Sequence, residues 1–143
     1  MALKTFLLAT ICTLLPATFV YANDALPDVR EQKSISYLQG GIGEGELEAM
    51  ALVQKDYSLH ITHADSKGHY VGEVRLTVTD GRRQQLLDVT GGPVFYIKLP
   101  KGRYVIETTM YGEIKRKTVS ISGTAPQTLR FIWPADDTNS TDY

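Results

Sequence analysis

The segment "VFYIKLPKGRYVIETTMY", Val94–Tyr111, carries the pattern that decides the fold. Apolar and polar residues alternate in its first half, which places Phe95 and Ile97 on one side of a strand and Tyr96 on the other. The proline and glycine of "LPKG" favour a turn. Alternation then resumes, with Tyr104 and Ile106 on a common face. The segment therefore predicts two β-strands joined by a short turn.

The same period of two extends from Tyr57 to Trp133. It predicts seven short strands with turn residues between them and no intervening helix. Such a pattern indicates an all-β fold, an antiparallel sandwich or barrel, over residues 57–134. The predicted strands are Tyr57–Ala64, Val71–Thr79, Gln85–Val89, Val94–Leu99, Arg103–Tyr111, Ile114–Ser122 and Gln127–Trp133.

Residues 40–56 combine a glycine-rich stretch with one short helix. Helical spacing of Leu47, Met50 and Ala51 predicts a helix over Glu46–Asp56, with acidic residues that suit its first turn. An isolated helix this short is marginal in water, so we expect it to pack on the sandwich. The expected contacts are the outward-facing apolar residues Val94, Tyr96 and Val105.

The glycine-rich stretch "GGIGEG" raises the question of a nucleotide site. A dinucleotide loop has the spacing G-x-G-x-x-G after a strand, whereas this stretch reads G-x-G-x-G after a poor strand candidate. Glu44, Glu46 and Glu48 would repel a phosphate at the start of the helix. We therefore expect a flexible hinge, with no nucleotide and no other cofactor.

The N-terminus resembles an export signal. Lys4 precedes an apolar stretch, and Val20 and Ala22 are small residues at the positions that a signal peptidase reads. We expect residues 1–22 to be a signal peptide cleaved after Ala22, and the protein to be periplasmic or secreted. A retained anchor is the alternative. Residues 23–39 are interpreted as a linker and residues 135–143 as a disordered acidic tail.

Composition excludes several classes of function. The chain has 143 residues and a formal charge of −1, which gives no support to general binding of nucleic acid or anionic membranes. Cys12 is the only cysteine and would leave with the signal peptide. The mature chain, expected to have no transmembrane segment, would then have no thiol for a disulfide, a nucleophile or a metal site.

Residues 57–134 resemble the carboxypeptidase regulatory-like domain, which has a prealbumin-like (transthyretin-like) fold. The resemblance rests on "VGEVRLTVTDGRRQ", "GGPVFYIKLPKGRYVIE" and "KTVSISG", and most specifically on Leu99–Tyr104. It implies a seven-strand antiparallel Greek-key sandwich. The "GGIGEGELEAM" segment also resembles small exported bacterial proteins that carry this domain, whose activity is not established. The resemblance implies the fold and the cellular location, and only weakly a binding role.

The same resemblance raises the question of hydrolysis, because transthyretin-related enzymes hydrolyse 5-hydroxyisourate. Their site includes a C-terminal Tyr-Arg-Gly-Ser, whereas this chain ends in "STDY". We therefore expect a non-enzymatic binding module with a protein or glycan partner in the cell envelope. A structural or adaptor subunit without a small ligand is the alternative, and a hydrolase is a minor one.

The three histidines lie within "HITHADSKGH" and raise the possibility of zinc. His60 and His63 are three residues apart in a predicted strand, so they face opposite sides and cannot chelate one ion together. We therefore expect no metal site, with one solvated histidine and two near a turn.

Alternating turns predict what gathers at each end of the sandwich. The turns "DGRRQ", "PKG" and "GTAP" would share one end, which we call the basic end, where an anionic partner could bind. Ordinary solvated charges are the alternative interpretation. The opposite end would bring together side chains that are better suited to binding a glycan. The basic-end residues are Arg82, Arg83, Lys101 and Arg103, and those of the opposite end are His69, Tyr70 and Tyr111.

Overall fold

The computed structural model describes residues 25–136. The expected signal peptide and residues 137–143 of the expected tail lie outside the described residues. Nine strands and one α-helix follow one another within these described residues, with a 3-10 turn at Gln54–Asp56 after the helix. They are β1 (Arg30–Gln32), β2 (Ile35–Gly40), α1 (Glu46–Val53), β3 (Leu59–Asp65), β4 (Val74–Thr79), β5 (Gln85–Gly91), β6 (Val94–Ile97), β7 (Gly102–Met110), β8 (Glu113–Ile121) and β9 (Gln127–Trp133).

The strands form two sheets that pack face to face. One has the order β1-β2-β6-β3-β9 and the other the order β5-β4-β7-β8. This confirms the all-β sandwich predicted from the sequence. Seven strands arise from residues 57–134 as expected, and β1 and β2 add two more.

The expectation of a wholly antiparallel arrangement is wrong at one pair of strands. β3 and β9 run parallel, in register from Leu59 opposite Gln127 to Asp65 opposite Trp133. The chain crosses from the second sheet to the first between β8 and β9. It enters the first sheet beside the start of β3, where the Gln127 N–H donates to the Ser58 carbonyl at 2.9 Å. Two strands that start at the same end must run in the same direction.

The interpretation of residues 23–39 as a linker is wrong for the strands that the structure places there. β2 pairs with β6 along its length, from Tyr37 opposite Ile97 to Gly40 opposite Val94. Tyr37 faces the main core, whereas its neighbour Leu38 is fully buried on the other face of the sheet. Burial on both faces removes the period of two, so the sequence pattern hid this strand.

The main core lies between the two sheets and is built from alternate residues of the strands. The predicted inward positions are confirmed by burial of Leu76, Ile106 and Phe131, each at most 1% exposed. Trp133 also faces inward, as predicted, and is 1% exposed. The sandwich therefore has its only tryptophan inside the core rather than on a surface.

A second apolar cluster lies on the outer face of the first sheet, under α1. Met50 is fully buried there with Leu38, Tyr57 and Val94. The predicted docking of the helix on Val94 and Tyr96 is thus confirmed. Two other expectations are wrong. Val105 lies on β7 in the opposite sheet, and Ala51 is exposed because the helix turns its neighbour Ala49 inward.

Side chains close the free edge of β5. The Asp88 N–H donates to Gln32 Oε1 at 2.6 Å, and Gln32 Nε2 donates back to the Asp88 carbonyl at 3.4 Å. Lys33 Nζ also donates to the Gln85 carbonyl at 2.8 Å. The Gln32 amide thus takes the place of a neighbouring strand at Asp88, and the β1–β2 turn ties the two sheets together.

Lysines cover the opposite edge, at β9. Lys117 Nζ donates to the carbonyl of Arg130 and lies 4.9 Å from the Phe131 ring centre. Lys115 Nζ lies 5.2 Å from the ring centre of Trp133. Lysines over an exposed strand are a common protection against pairing with another chain.

Met50→Ala should lower the free energy of unfolding by about 2–5 kcal/mol, because it leaves a cavity under α1. Leu52→Ala is the matched control on the same helix, since Leu52 is 80% exposed. That variant should change stability by less than about 0.5 kcal/mol. Urea unfolding of the three proteins measures both effects, and equal stabilities would contradict the docking of the helix.

Candidate functional site

Strand register places the four predicted cationic residues at one end of the sandwich. Thr79, at the end of β4, pairs with Val105 near the start of β7, and Gly102 pairs with Ile121 at the end of β8. The turns that follow β4 and β8 and the turn that precedes β7 therefore meet. These turns and the first residues of β7 carry Arg82, Arg83, Lys101 and Arg103.

Three of these cations surround one shallow depression. It has a volume of about 310 Å³, and Arg82, Lys101 and Arg103 line it together with Asp80 and Tyr104. Lys101 extends over Gly123, where a Cβ atom would come within 2.6 Å of its Cε. Glycine at that position thus leaves room for the lysine.

Arg83, the fourth predicted residue, does not line the depression. It sits at the tip of the β4–β5 turn with φ of 63°, and its backbone N–H donates to the Asp80 carbonyl at 3.1 Å. The structure therefore brings together three of the four sequence-predicted residues and leaves Arg83 beside them.

The one carboxylate at the depression is held by its own turn. Asp80 Oδ1 accepts hydrogen bonds from the backbone N–H groups of Arg82 and Gln84, both at 2.9 Å. Within residues 25–136, the side chains of Arg82, Lys101 and Arg103 form no ion pair with it or with any other carboxylate. Their charges remain available to a ligand.

The alternative residues lie at the other end. An isolated bridge joins Ala64 to Tyr70, and Tyr111 forms the turn between β7 and β8. Tyr70 is 52% exposed and Tyr111 is 81% exposed, whereas the His69 ring is tied to Asp65, with 3.1 Å between Nδ1 and Oδ2. These side chains share an end of the molecule on two separate loops.

Sequence reasoning missed a cavity at this second end, which we call the end cavity. Its volume is about 420 Å³. It lies where the N-terminal segment meets the ends of β2 and β5 and the start of β4. Residues 23–39 were expected to form a linker, so the sequence did not predict that they help to line a cavity. Its polar lining includes Asp28, Arg30, Gln39, Glu73 and Thr90.

The glycine-rich loop binds a carboxylate of its own chain. The N–H groups of Gly41 and Ile42 donate to Glu46 Oε2 at 2.7 and 3.1 Å. The hydrogen bond from Gly41 is the main cause that holds the pKa of Glu46 below its usual range, with smaller contributions from Gly43 and Ile42. The Glu46 carboxylate takes up the amides that a nucleotide-binding loop would offer to phosphate, and it ties the loop to α1 rather than leaving a free hinge.

The three histidines lie in three different environments. The His60 ring faces outward, donates to the Gln54 carbonyl at 2.7 Å and lies 4.4 Å from the Tyr96 ring centre. His63 faces the core, so these two point to opposite sides as predicted. His69 is exposed on its loop. No three histidine, cysteine or acidic residues among residues 25–136 are placed to hold one metal ion.

His63 is fully buried rather than solvated or at a turn, which corrects the sequence interpretation. Its Nδ1–H donates to the Pro93 carbonyl at 3.2 Å, and its ring stacks on Phe131 with 5.5 Å between centres. Burial lowers the pKa of His63 to about 4, against the hydrogen bond to Pro93. The ring is therefore neutral and acts as part of the core at neutral pH.

A scan against protein-family models finds no match, and a search of curated proteins finds no similar sequence. Among solved structures, the fold is similar to part of a chain described as "The Bacillus anthracis TIE protein". The two are 16% identical over 53% of this chain, with a TM-score of 0.41. The match spans 16% of that chain. Within residues 25–136, the structure contains no helix that is long and apolar enough to cross a membrane.

Glu46→Gln should lower the free energy of unfolding by about 1–2 kcal/mol, because a neutral amide accepts the loop hydrogen bonds more weakly than a carboxylate. Glu48→Gln makes the same chemical change on the same turn of α1, where the side chain is exposed. It should cost less than about 0.5 kcal/mol. Urea unfolding measures the difference, and equal losses would contradict a specific role for Glu46.

Stability should fall by about 2 kcal/mol between pH 7 and pH 5 because of His63. Its pKa in the folded protein lies below the ordinary value, so the unfolded chain binds the proton more readily. The stabilisation is present above pH 6.5 and is lost as the pH falls. Urea unfolding at both pH values measures it. His63→Leu should remove most of this fall and His69→Gln should not, and an unchanged fall in His63→Leu would exclude His63 as its source.

Proposed function

We propose that the protein is a non-enzymatic binding module, exported to the bacterial periplasm or secreted, that binds an anionic partner of the cell envelope at the basic end. The observation that carries this proposal is the placement of Arg82, Lys101 and Arg103 around one depression without a carboxylate partner among residues 25–136. The partner is a protein or glycan rich in phosphate or carboxylate groups.

Two features favour binding there over ordinary surface charge. The cations come from two turns that strand register holds side by side, so bringing them together does not depend on the ligand. Asp80 accepts hydrogen bonds from backbone N–H groups and forms no ion pair with these cations, which outnumber it three to one at the depression. Converging cations on a near-neutral protein create a local positive field.

The alternative is an adaptor subunit. An adaptor that works by strand addition needs a free strand edge. Two of the four edge strands are covered, β5 at Asp88 by Gln32 and β9 by Lys117, and β1 and β8 are the remaining edges. A hydrolase has less support, because His60 lies on the outer face of the first sheet, His63 lies in the core and His69 lies on an exposed loop.

We also propose that residues 57–134 are a prealbumin-like, Greek-key domain of the carboxypeptidase regulatory-like kind. Two observations support this. The chain passes repeatedly between the two sheets, as it does in Greek-key sandwiches. In the segment that resembles the family most, the Tyr104 hydroxyl donates to the Pro100 carbonyl at 2.7 Å and closes the turn.

The double variant Arg82→Glu/Lys101→Glu should bind linear polyphosphate and polygalacturonate at least about tenfold more weakly than the parent protein, since contacts with charged groups contribute about 1.5–3 kcal/mol each. Fluorescence anisotropy with labelled polymers measures the affinity. Parent binding should weaken steeply with added salt, because exposed charges are screened over about 10 Å at 0.1 M.

Lys67→Glu/Arg130→Glu is the matched control, with the same change of charge on exposed residues away from the basic end. It should retain most of the affinity. Equal losses in the two double variants would show that the polymers respond to net charge alone. Arg83→Glu should have a smaller effect than Arg82→Glu, because Arg83 lies outside the depression.

A further inference from the structure

The end cavity lies at the opposite end of the molecule from the basic end and shares no residue with it. Four pieces of chain form it: the segment before β1, the end of β2 with the glycine-rich loop, the start of β4, and the end of β5. Its volume of about 420 Å³ falls within the range of about 300–1,000 Å³ for pockets that hold small molecules.

Glycines allow close packing at the lining of this cavity. A Cβ atom at Gly91 would lie 1.7 Å from Gln39 Oε1, so any other residue there would displace the glutamine side chain. A Cβ atom at Gly40 would lie 2.8 Å from Pro27 Cγ, so the N-terminal segment packs directly on the backbone there. The present shape of the lining depends on these two close approaches.

The cavity contains polar groups without partners in the protein. Gln39 Oε1 is buried and accepts no hydrogen bond from residues 25–136. The side chains of Asp28, Arg30 and Glu73 line the same cavity and form no ion pair or hydrogen bond within that range. A buried amide oxygen without a donor is costly, and most such oxygens are satisfied in folded proteins.

Glu73 has an unfavourable backbone conformation. Its φ is 59°, in the left-handed region that residues with a Cβ atom adopt reluctantly. Glycine would adopt this conformation freely, yet the chain places a glutamate there with its carboxylate at the cavity. Non-glycine residues in this region are often found at ligand sites.

We propose that the end cavity binds a saccharide, one or two sugar rings of a glycan. Its acceptors are the carboxylates of Asp28 and Glu73 and the orphaned Gln39 oxygen, with the Thr90 hydroxyl beside them. The Glu46 carboxylate also lines the cavity, so acceptors outnumber the one cationic donor, Arg30. A ligand must therefore be rich in donors, as sugar hydroxyls are. Arg30 donates in return to hydroxyl or ring oxygens, and the three carboxylates oppose an anion.

This site is independent of the proposed basic end, so each can fail without the other. The probes for the full chain are maltose, cellobiose and di-N-acetylchitobiose as disaccharides, with spermidine as an amine without sugar hydroxyls. Ligand-observed saturation-transfer NMR and titration should show binding of at least one disaccharide. Binding of none of the three, or of spermidine alone, would overturn the proposal.

Two variants place the binding in the cavity. Gln39→Leu removes the buried acceptor with little change in size, and Glu73→Gly removes the carboxylate while it relieves the left-handed backbone. Each should weaken the disaccharide at least about tenfold. Glu73→Gly should do so without lowering the melting temperature, which separates loss of binding from loss of fold even if Gln39→Leu proves unstable.

The control is Ser34→Gly. Ser34 has φ of 64° in the exposed β1–β2 turn, so glycine relieves the same kind of strain outside the cavity. This variant should bind the disaccharide as the parent does. Undiminished binding in Glu73→Gly, or equal losses in Glu73→Gly and Ser34→Gly, would overturn the assignment to the end cavity.

Discussion

Strand β6 buries side chains on both of its faces, and much of the architecture follows from that requirement. Phe95 and Ile97 enter the core between the sheets, while Val94 lies in the cluster under α1. A strand with apolar residues on both faces needs cover on both. The second sheet covers one face and α1 covers the other, and β2, which pairs with β6, brings the glycine-rich loop and α1 into position.

The same requirement explains which elements could be predicted from the sequence. Strands β4, β7 and β9 alternate cleanly because one face is buried and the other is solvated, and each was predicted to within a few residues. β2 has Tyr37 in one apolar cluster and Leu38 in the other, so its pattern resembles neither a strand nor a helix. The parallel pairing of β3 and β9 depends on where the chain re-enters the sheet, which local periodicity does not encode.

Of the two candidate sites, one could be predicted from the sequence and the other could not. The basic end was predictable, because the turns between successive antiparallel strands alternate between the two ends and the sequence shows which turns carry arginine and lysine. Arg83 could not be separated from Arg82, since the distinction arises from the shape of a single turn. The end cavity depends on Gly91 accommodating the distant Gln39, a close approach that only the folded structure reveals.

Among residues 25–136, the two end sites carry charge of opposite sign, a dipole between the ends that the formal charge of −1 conceals. Arg82, Lys101 and Arg103 outnumber Asp80 at one end, and three carboxylates outnumber Arg30 at the other. The nine residues of β7 separate the ends by about 30 Å. Near a negatively charged surface, the torque on such a dipole turns the cationic end towards the surface and leaves the other end facing away. Orientation would then be set before any contact forms.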